Sequence, residues 1–200
     1  SMRSNCCCRA TTRNLTVVLS WASWCRLHSM PDSASRRSKL RPASSQPTTD
    51  SKATCAPSAA QREKDHEFPM GLFKEAGALG FAGCIVPKEY GGSALGNIGQ
   101  CIVLEEVAAA CASVHVTLSV HNSLISGPIL KWGTEDQKRR YLPRTATGEW
   151  LGSYLLTEPG SGSDAAAMKT TAVPDGDHWV MNGDKMWITS GDTADVGIVF

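Results

Sequence analysis

The densest chemistry of this chain lies in Tyr154-Leu155-Leu156-Thr157-Glu158-Pro159-Gly160-Ser161-Gly162-Ser163-Asp164. A hydrophobic strand pattern there runs into a loop of small residues. Thr157 can offer a hydroxyl, and the loop its backbone N–H groups, to the polar edge of a flat heterocycle. Gly160 and Gly162 let the chain approach a ligand closely, with no Cβ in the way. Ser163 and Asp164 can cap the short Ala-rich turn after them, whose N-terminus favours an anionic group. Further on, Trp187-Ile188-Thr189 supplies an indole and a second hydroxyl. If that segment is a strand, residues 187 and 189 share one face. An aromatic plate beside a donor suits a stacked cofactor such as a flavin. The plainer alternatives are a strand-to-turn connection with a Ser/Asp cap, and a Trp187 that is simply core packing.

Other constellations are weaker. Gly160-x-Gly162-x-x-Ala165 formally matches a dinucleotide fingerprint, but that fold needs a crossover helix next. Only Ala165–Lys169 separates the loop from the following strand pattern. His115 and His121 do not share a helical face well, which reads as polar-satisfied packing rather than metal ligation. Cys6-Cys7-Cys8 lacks zinc-site spacing, and Cys25-x-x-His28 has no partner pair. Glu105-Glu106 reads as an ion-pairing site between helices or, less readily, as a catalytic carboxylate.

The elements that would position this loop are legible upstream. Leu72, Phe73, Ala76 and Leu79 fall on one face of a helix over 71–79, ended by Gly80. Pro87 and Gly91-Gly92 force a turn. A second helix, capped by Asn97, runs through Ala110 with Ile98, Ile102, Val107 and Cys111 inward. A third spans about Val114 to Leu130, with Gly127-Pro128 as a kink. Thr134-Glu135-Asp136-Gln137 is a capping box opening a fourth helix, which Pro143 should stop. After Gly148 the hydrophobic period changes from about 3.6 to about 2. Strands are expected over 150–157, 170–173, 178–181 and 185–189, joined by turns at Asp175-Gly176 and Asn182-Gly183.

The chain has 200 residues and a formal net charge of +1, which gives no electrostatic case for a nucleic-acid partner. No apolar stretch reaches the roughly 18 residues that cross a bilayer. A soluble protein without membrane insertion is expected. Charge is unevenly spread: before Asp50 there is one acid, Asp32, against eight Lys and Arg residues. Five of the eight cysteines precede residue 56, whereas Cys84, Cys101 and Cys111 sit among apolar neighbours. Residues 1–61 thus read as an unstructured or foreign leader: an organelle transit segment, a secretory signal, or a misjoined stretch of gene.

From Arg62 onward the chain resembles the acyl-CoA dehydrogenase family, most of all its short-chain, butyryl-CoA branch. The matching stretches are Phe81–Gly92, Leu104-Glu105-Glu106, Ser119–Gly133, Gly133–Lys138, Tyr141-Leu142-Pro143, Thr157–Asp164 and Asn182–Ser190. The resemblance implies an α+β architecture: a partial N-terminal helical domain over 62–149, then the start of an antiparallel middle β domain over 150–200. The family's C-terminal helical domain, which carries its catalytic glutamate, is missing from these residues. By itself the chain is therefore expected to be an inactive fragment. The implied reaction is FAD-dependent α,β-dehydrogenation of a short-chain acyl-CoA to the trans-2-enoyl-CoA, with electrons passed to electron-transfer flavoprotein. Carried over by position, Tyr154, Leu156, Thr157, Gly162 and Ser163 would lie on the FAD, and Trp187, Ile188 and Thr189 would wall its ring. Ser163 would also touch the CoA substrate. A homotetramer is implied for the full-length protein. The location would be the mitochondrial matrix if the leader is genuine and a bacterial cytoplasm otherwise. An acyl-CoA oxidase and a non-catalytic fragment on the same fold remain open alternatives.

Overall fold

A computed structural model describes residues 16–18, 48–176 and 178–200, with side chains from residue 57 onward. Helices come first: α1 (Thr48–Asp65), α2 (Met70–Ala78), α3 (Gly96–Ala110), α4 (Ala112–Val120), α5 (Gly127–Trp132) and α6 (Glu135–Ala146). The strands are β1 (Thr16–Val18), β2 (Gly152–Leu155), β3 (Thr171–Asp175), β4 (His178–Asn182) and β5 (Val196–Val199). The leader's boundary read from composition, residue 62, falls inside α1. This helix is polar, carries Arg62 and Lys64 in its last turn as the macrodipole favours, and packs on α3. Composition does not register such a helix because tertiary packing, not apolar content, holds it. Most of the remaining leader lies outside the described residues.

Gly80, at φ +82°, ends α2 in the left-handed conformation. Gly77 of the same helix lies where a Cβ would stand 2.4 Å from the Thr147 carbonyl oxygen, so α2 docks backbone-to-backbone on the end of α6. α3 starts at Gly96 without a side-chain cap, so Asn97 sits inside it rather than capping it. The backbone bonds Ser93 to Gly83, Ala94 to Val86 and Leu95 to Cys84 swing the chain round and set that start earlier. The inward face also differs from the expected one. Gln100, Leu104 and Val107 are buried, while Ile98 is 59% and Ile102 48% exposed. α3 is apolar nearly all round, so its periodicity cannot choose a face; packing against α1 and α4 chooses it.

The expected third helix is α4, a π-helical stretch over His121–Ser126, and α5 in succession. The capping box forms as expected: Gln137 N–H donates to the Thr134 hydroxyl at 3.2 Å, and Thr134 N–H to the Gln137 side chain at 2.9 Å. Pro143 does not stop α6, which continues to Ala146. Its missing N–H costs one bond, and the burial of Tyr141, Leu142, Thr145 and Ala146 around it keeps the helix going.

The sheet corrects the expected pairing. β2 and β5 run parallel, with Tyr154 opposite Ile198, and β1 adds to the far side of β5. Among the described strands, β3 and β4 pair antiparallel as a ribbon turned at Asp175-Gly176, with Gly176 at φ +63°. Asn182 pairs with Thr171 at the ribbon's open end, so Asn182-Gly183 is its exit and not a second hairpin turn. Two cores join helices to sheet. Phe73, Leu104, Val107, Val114, Leu118 and Leu151 form one. Ile125, Ile129, Tyr141, Leu142, Val196 and Ile198 form the other. Gly152 is the seam, since a Cβ there would meet Ile125 side-chain carbons at 2.6 Å.

Candidate functional site

β2 delivers the chain out of the core at Leu155, and Leu156 and Thr157 lead into the loop. The loop then closes on itself. Glu158 N–H donates to the Ser161 carbonyl at 2.9 Å and Ser161 N–H returns to the Glu158 carbonyl at 3.1 Å. The Ser161 hydroxyl donates to the Asp164 carbonyl at 2.7 Å. Gly162 and Ser163 stand exposed on the outer limb, and a Cβ placed on Gly160 or Gly162 would meet nothing within 4 Å. Both glycines therefore border open space.

The segment 183–190 is not a strand. Trp187 (φ +58°) and Ser190 (φ +60°) adopt the left-handed conformation, which breaks the alternation that would put residues 187 and 189 on one face. Such positions cost of order 1–3 kcal/mol and cluster at ligand clamps. The segment forms an irregular arm instead. Met186 N–H donates to the Thr157 carbonyl at 3.0 Å, so arm and loop meet as the sequence pattern required. Trp187, next along, is 85% exposed. The Ser153 hydroxyl donates to the Thr189 carbonyl at 2.8 Å and fastens the arm's far end to β2. Ile188 is half-buried and closes a turn with Gly191.

Of the residues expected to face a cofactor, the structure gathers Leu156, Thr157 and the arm 187–189 about one backbone contact, with Gly162 and Ser163 on the adjoining limb. Tyr154 turns elsewhere. Its ring packs against Phe200 at 4.9 Å between centroids, as its place opposite β5 dictates.

Sequence reasoning missed the pair beneath this surface. The Lys185 ammonium lies 2.8 Å from a Glu158 carboxylate oxygen, with the two side chains only 9% and 6% exposed. Glu158 also accepts from the N–H groups of Lys169 (2.6 Å) and Thr170 (2.9 Å), while Lys185 donates to the Leu156 carbonyl at 2.9 Å. Burial alone would push the Glu158 carboxyl up. The Lys185 ammonium and the two backbone donors outweigh it and hold the group at about 2. A carboxylate so committed is a poor proton acceptor. One signal was available: Lys185 is the one basic residue of the segment 183–190, and Glu158 is the acid that directly follows Thr157.

Further in, His121 on the π-helical stretch is fully buried. Its Nε2 donates to the Thr145 carbonyl at 2.8 Å and its Nδ1 accepts from Gly152 N–H at 3.1 Å, which defines a neutral ring. Burial pushes its pKa down to about 4, against the pull of the Thr145 carbonyl. The histidine ties helices to β2, so it orients the strand that feeds the loop. Among the described residues no cluster of His, Cys, Asp and Glu is placed to hold a metal ion. No described helix is long and apolar enough to cross a membrane.

Helices thus feed a small sheet, and a Gly/Ser loop and a Trp-bearing arm meet at its exit with an exposed indole beside open glycines. Comparison with known proteins places this arrangement. Residues 51–149 match the acyl-CoA dehydrogenase N-terminal domain and residues 153–200 its middle domain. The chain belongs to the acyl-CoA dehydrogenase family. It is 45% identical over 144 residues to the mitochondrial short-chain specific acyl-CoA dehydrogenase of Homo sapiens, covering 72% of this chain and 35% of that protein. Butyryl-CoA dehydrogenase from Megasphaera elsdenii superposes with a TM-score of 0.70 at 31% identity, over 80% of this chain and 45% of that one. An acyl-CoA dehydrogenase complexed with FAD from Bacillus anthracis gives 0.71 at 42% identity, over 76% and 27%. The chain thus spans about a third of the length of the curated relatives it matches.

Proposed function

We propose that this chain forms the flavin-facing wall of an FAD-dependent short-chain acyl-CoA dehydrogenase, which converts an acyl-CoA to its trans-2-enoyl-CoA. The observation that carries the reading is the Met186–Thr157 backbone bond, which brings the Gly/Ser loop and the Trp187 arm to one place. The local chemistry fits a flat ring with a polar rim. The indole is exposed, the loop is open at Gly160 and Gly162, and the Ser190 hydroxyl is buried without a hydrogen-bond partner. Thr157, Gly162 and Ser163 would hold the ring's polar edge and phosphate side, with Leu156 beneath. Trp187, Ile188 and Thr189 would wall its face, and Ser163 would also contact the CoA portion of the substrate. Tyr154 would contribute through its backbone, because its ring is spent against Phe200.

When bound, FAD supplies the hydride-accepting chemistry. The chain's own residues orient the ring and exclude water from one face. The family resemblance assigns the proton-abstracting carboxylate to the C-terminal helical domain, and Glu158, committed to Lys185, is not given that role. Electron-transfer flavoprotein as the acceptor and a homotetramer of the full-length protein follow from the same family reading. The relatives include a mitochondrial enzyme of Homo sapiens and a bacterial one of Bacillus subtilis, and a mitochondrial location goes with a genuine leader, a bacterial cytoplasm with a foreign one.

Titration of the 200-residue chain with FAD, followed by flavin fluorescence and visible absorbance, tests the reading. Binding should weaken in Thr157→Ala and Trp187→Ala, with no turnover of butyryl-CoA by the chain alone. Unchanged binding in both variants, or no binding by the parent chain, would reject it.

A further inference from the structure

We propose that the buried Glu158–Lys185 pair is the positioning device of this site. It sets the spacing between the Thr157 loop and the Trp187 arm, and through that spacing the affinity and electronic surroundings of the flavin ring. The inference rests on the flavin reading above.

Three segments of chain converge on the pair: 156–158, 168–170 and the arm at 185. Glu158 gathers N–H groups from the second and the ammonium from the third. Lys185 returns to the first through the Leu156 carbonyl and touches the Met168 sulfur at 3.8 Å. The contacts fall on the two residues that flank the ligand-facing positions, with Glu158 next to Thr157 and Lys185 two before Trp187. The arm belongs to no strand and carries left-handed residues at 187 and 190. Strained backbone of that kind persists only where its surroundings over-determine it. A buried ion pair is a weak source of net stability, because desolvation offsets most of its attraction. Its distinct capacity is geometric: an ammonium engaged by three acceptors and a carboxylate held by three donors tolerate little displacement. Here that rigidity is applied where a loop and an irregular arm meet at the Met186–Thr157 backbone bond.

The test uses the 200-residue chain and FAD, with Lys185→Met, Glu158→Gln, Lys185→Arg and, as a control away from the loop and arm, Thr134→Ala. Lys185→Met and Glu158→Gln should bind FAD about tenfold or more weakly at a temperature where circular dichroism shows them folded. The visible bands of the flavin that does bind should shift toward those of free FAD. Lys185→Arg, which keeps the charge, should regain much of the affinity, and Thr134→Ala should match the parent. Parent-like affinity and spectrum in both pair variants would overturn the inference while leaving the flavin reading intact. Absence of FAD binding by the parent chain would remove both. If both pair variants unfold where Thr134→Ala stays folded, the pair is a folding element alone and the inference fails.

Discussion

The junction around His121 and the loop–arm surface around Thr157 are held by opposite means. At the junction, apolar side chains do most of the work. Phe73, Leu118 and Ile125 are buried, and the buried His121 is matched within the chain, spanning Thr145 and Gly152. At the loop and arm there is little to bury. The β3–β4 ribbon is largely exposed, Trp187 stands in solvent, and loop and arm are ordered by the Glu158–Lys185 pair together with polar bonds such as Met186 to Thr157 and Ser153 to Thr189. The contrast shows a division of labour. Packing supplies the free energy of folding, while polar pins give a thin, open surface a definite shape.

That contrast can be broken at its strongest point first. Phe73→Ala removes a fully buried ring that also meets the His121 edge at 5.0 Å. It should cost about 3–5 kcal/mol in urea unfolding, enough to unfold a marginal chain. His121→Leu leaves the Gly152 N–H without its partner and removes one of the Thr145 carbonyl's bonds, that from Gly148 N–H remaining, and should cost about 1–3 kcal/mol; an unchanged urea midpoint would mean the bridge is incidental.

The two regions should also separate on acidification. The folded His121 holds its proton less readily than an exposed imidazole. Its contribution is therefore complete above about 6.5 and is lost as pH falls toward about 4. The Glu158 carboxylate is depressed from about 4.5 to about 2, so its contribution is present above 4.5 and is lost below it. Stability measured against pH should fall in these two windows. His121→Leu should flatten the upper one and Glu158→Gln the lower one.

The smallest effects sharpen the comparison from outside. Thr134→Ala removes one half of the capping box and should cost about 1 kcal/mol in thermal unfolding. Trp187→Ala should leave stability within about 0.5 kcal/mol despite deleting the largest side chain type. A large loss there would show that the exposed indole packs in solution.

How much was legible differs by element. The capping box at Thr134 and Gln137, the Gly80 stop and the Asp175-Gly176 turn were all readable, because each is decided by residues within one turn of chain. The meeting of loop and arm was legible only as two motifs that needed each other. Its geometry was not: the alternation over 185–189 implied a strand, and two left-handed residues made an arm. Glu158 and Lys185, separated by 27 positions, were visible as letters but not as partners.

The amino-acid sequence by itself determined that helices precede strands, where α6 starts and where the ribbon turns. It also marked the small-residue loop and the tryptophan segment that the fold brings into contact. These depend on caps, periodicity and backbone freedom, which act over a few residues. Tertiary structure decided that Ile98 and Ile102 face outward, that Pro143 lies within a helix, that β2 and β5 run parallel, and that a buried acid and base pin the site. Each of these is a choice among locally acceptable options, settled by contacts between residues far apart in the chain.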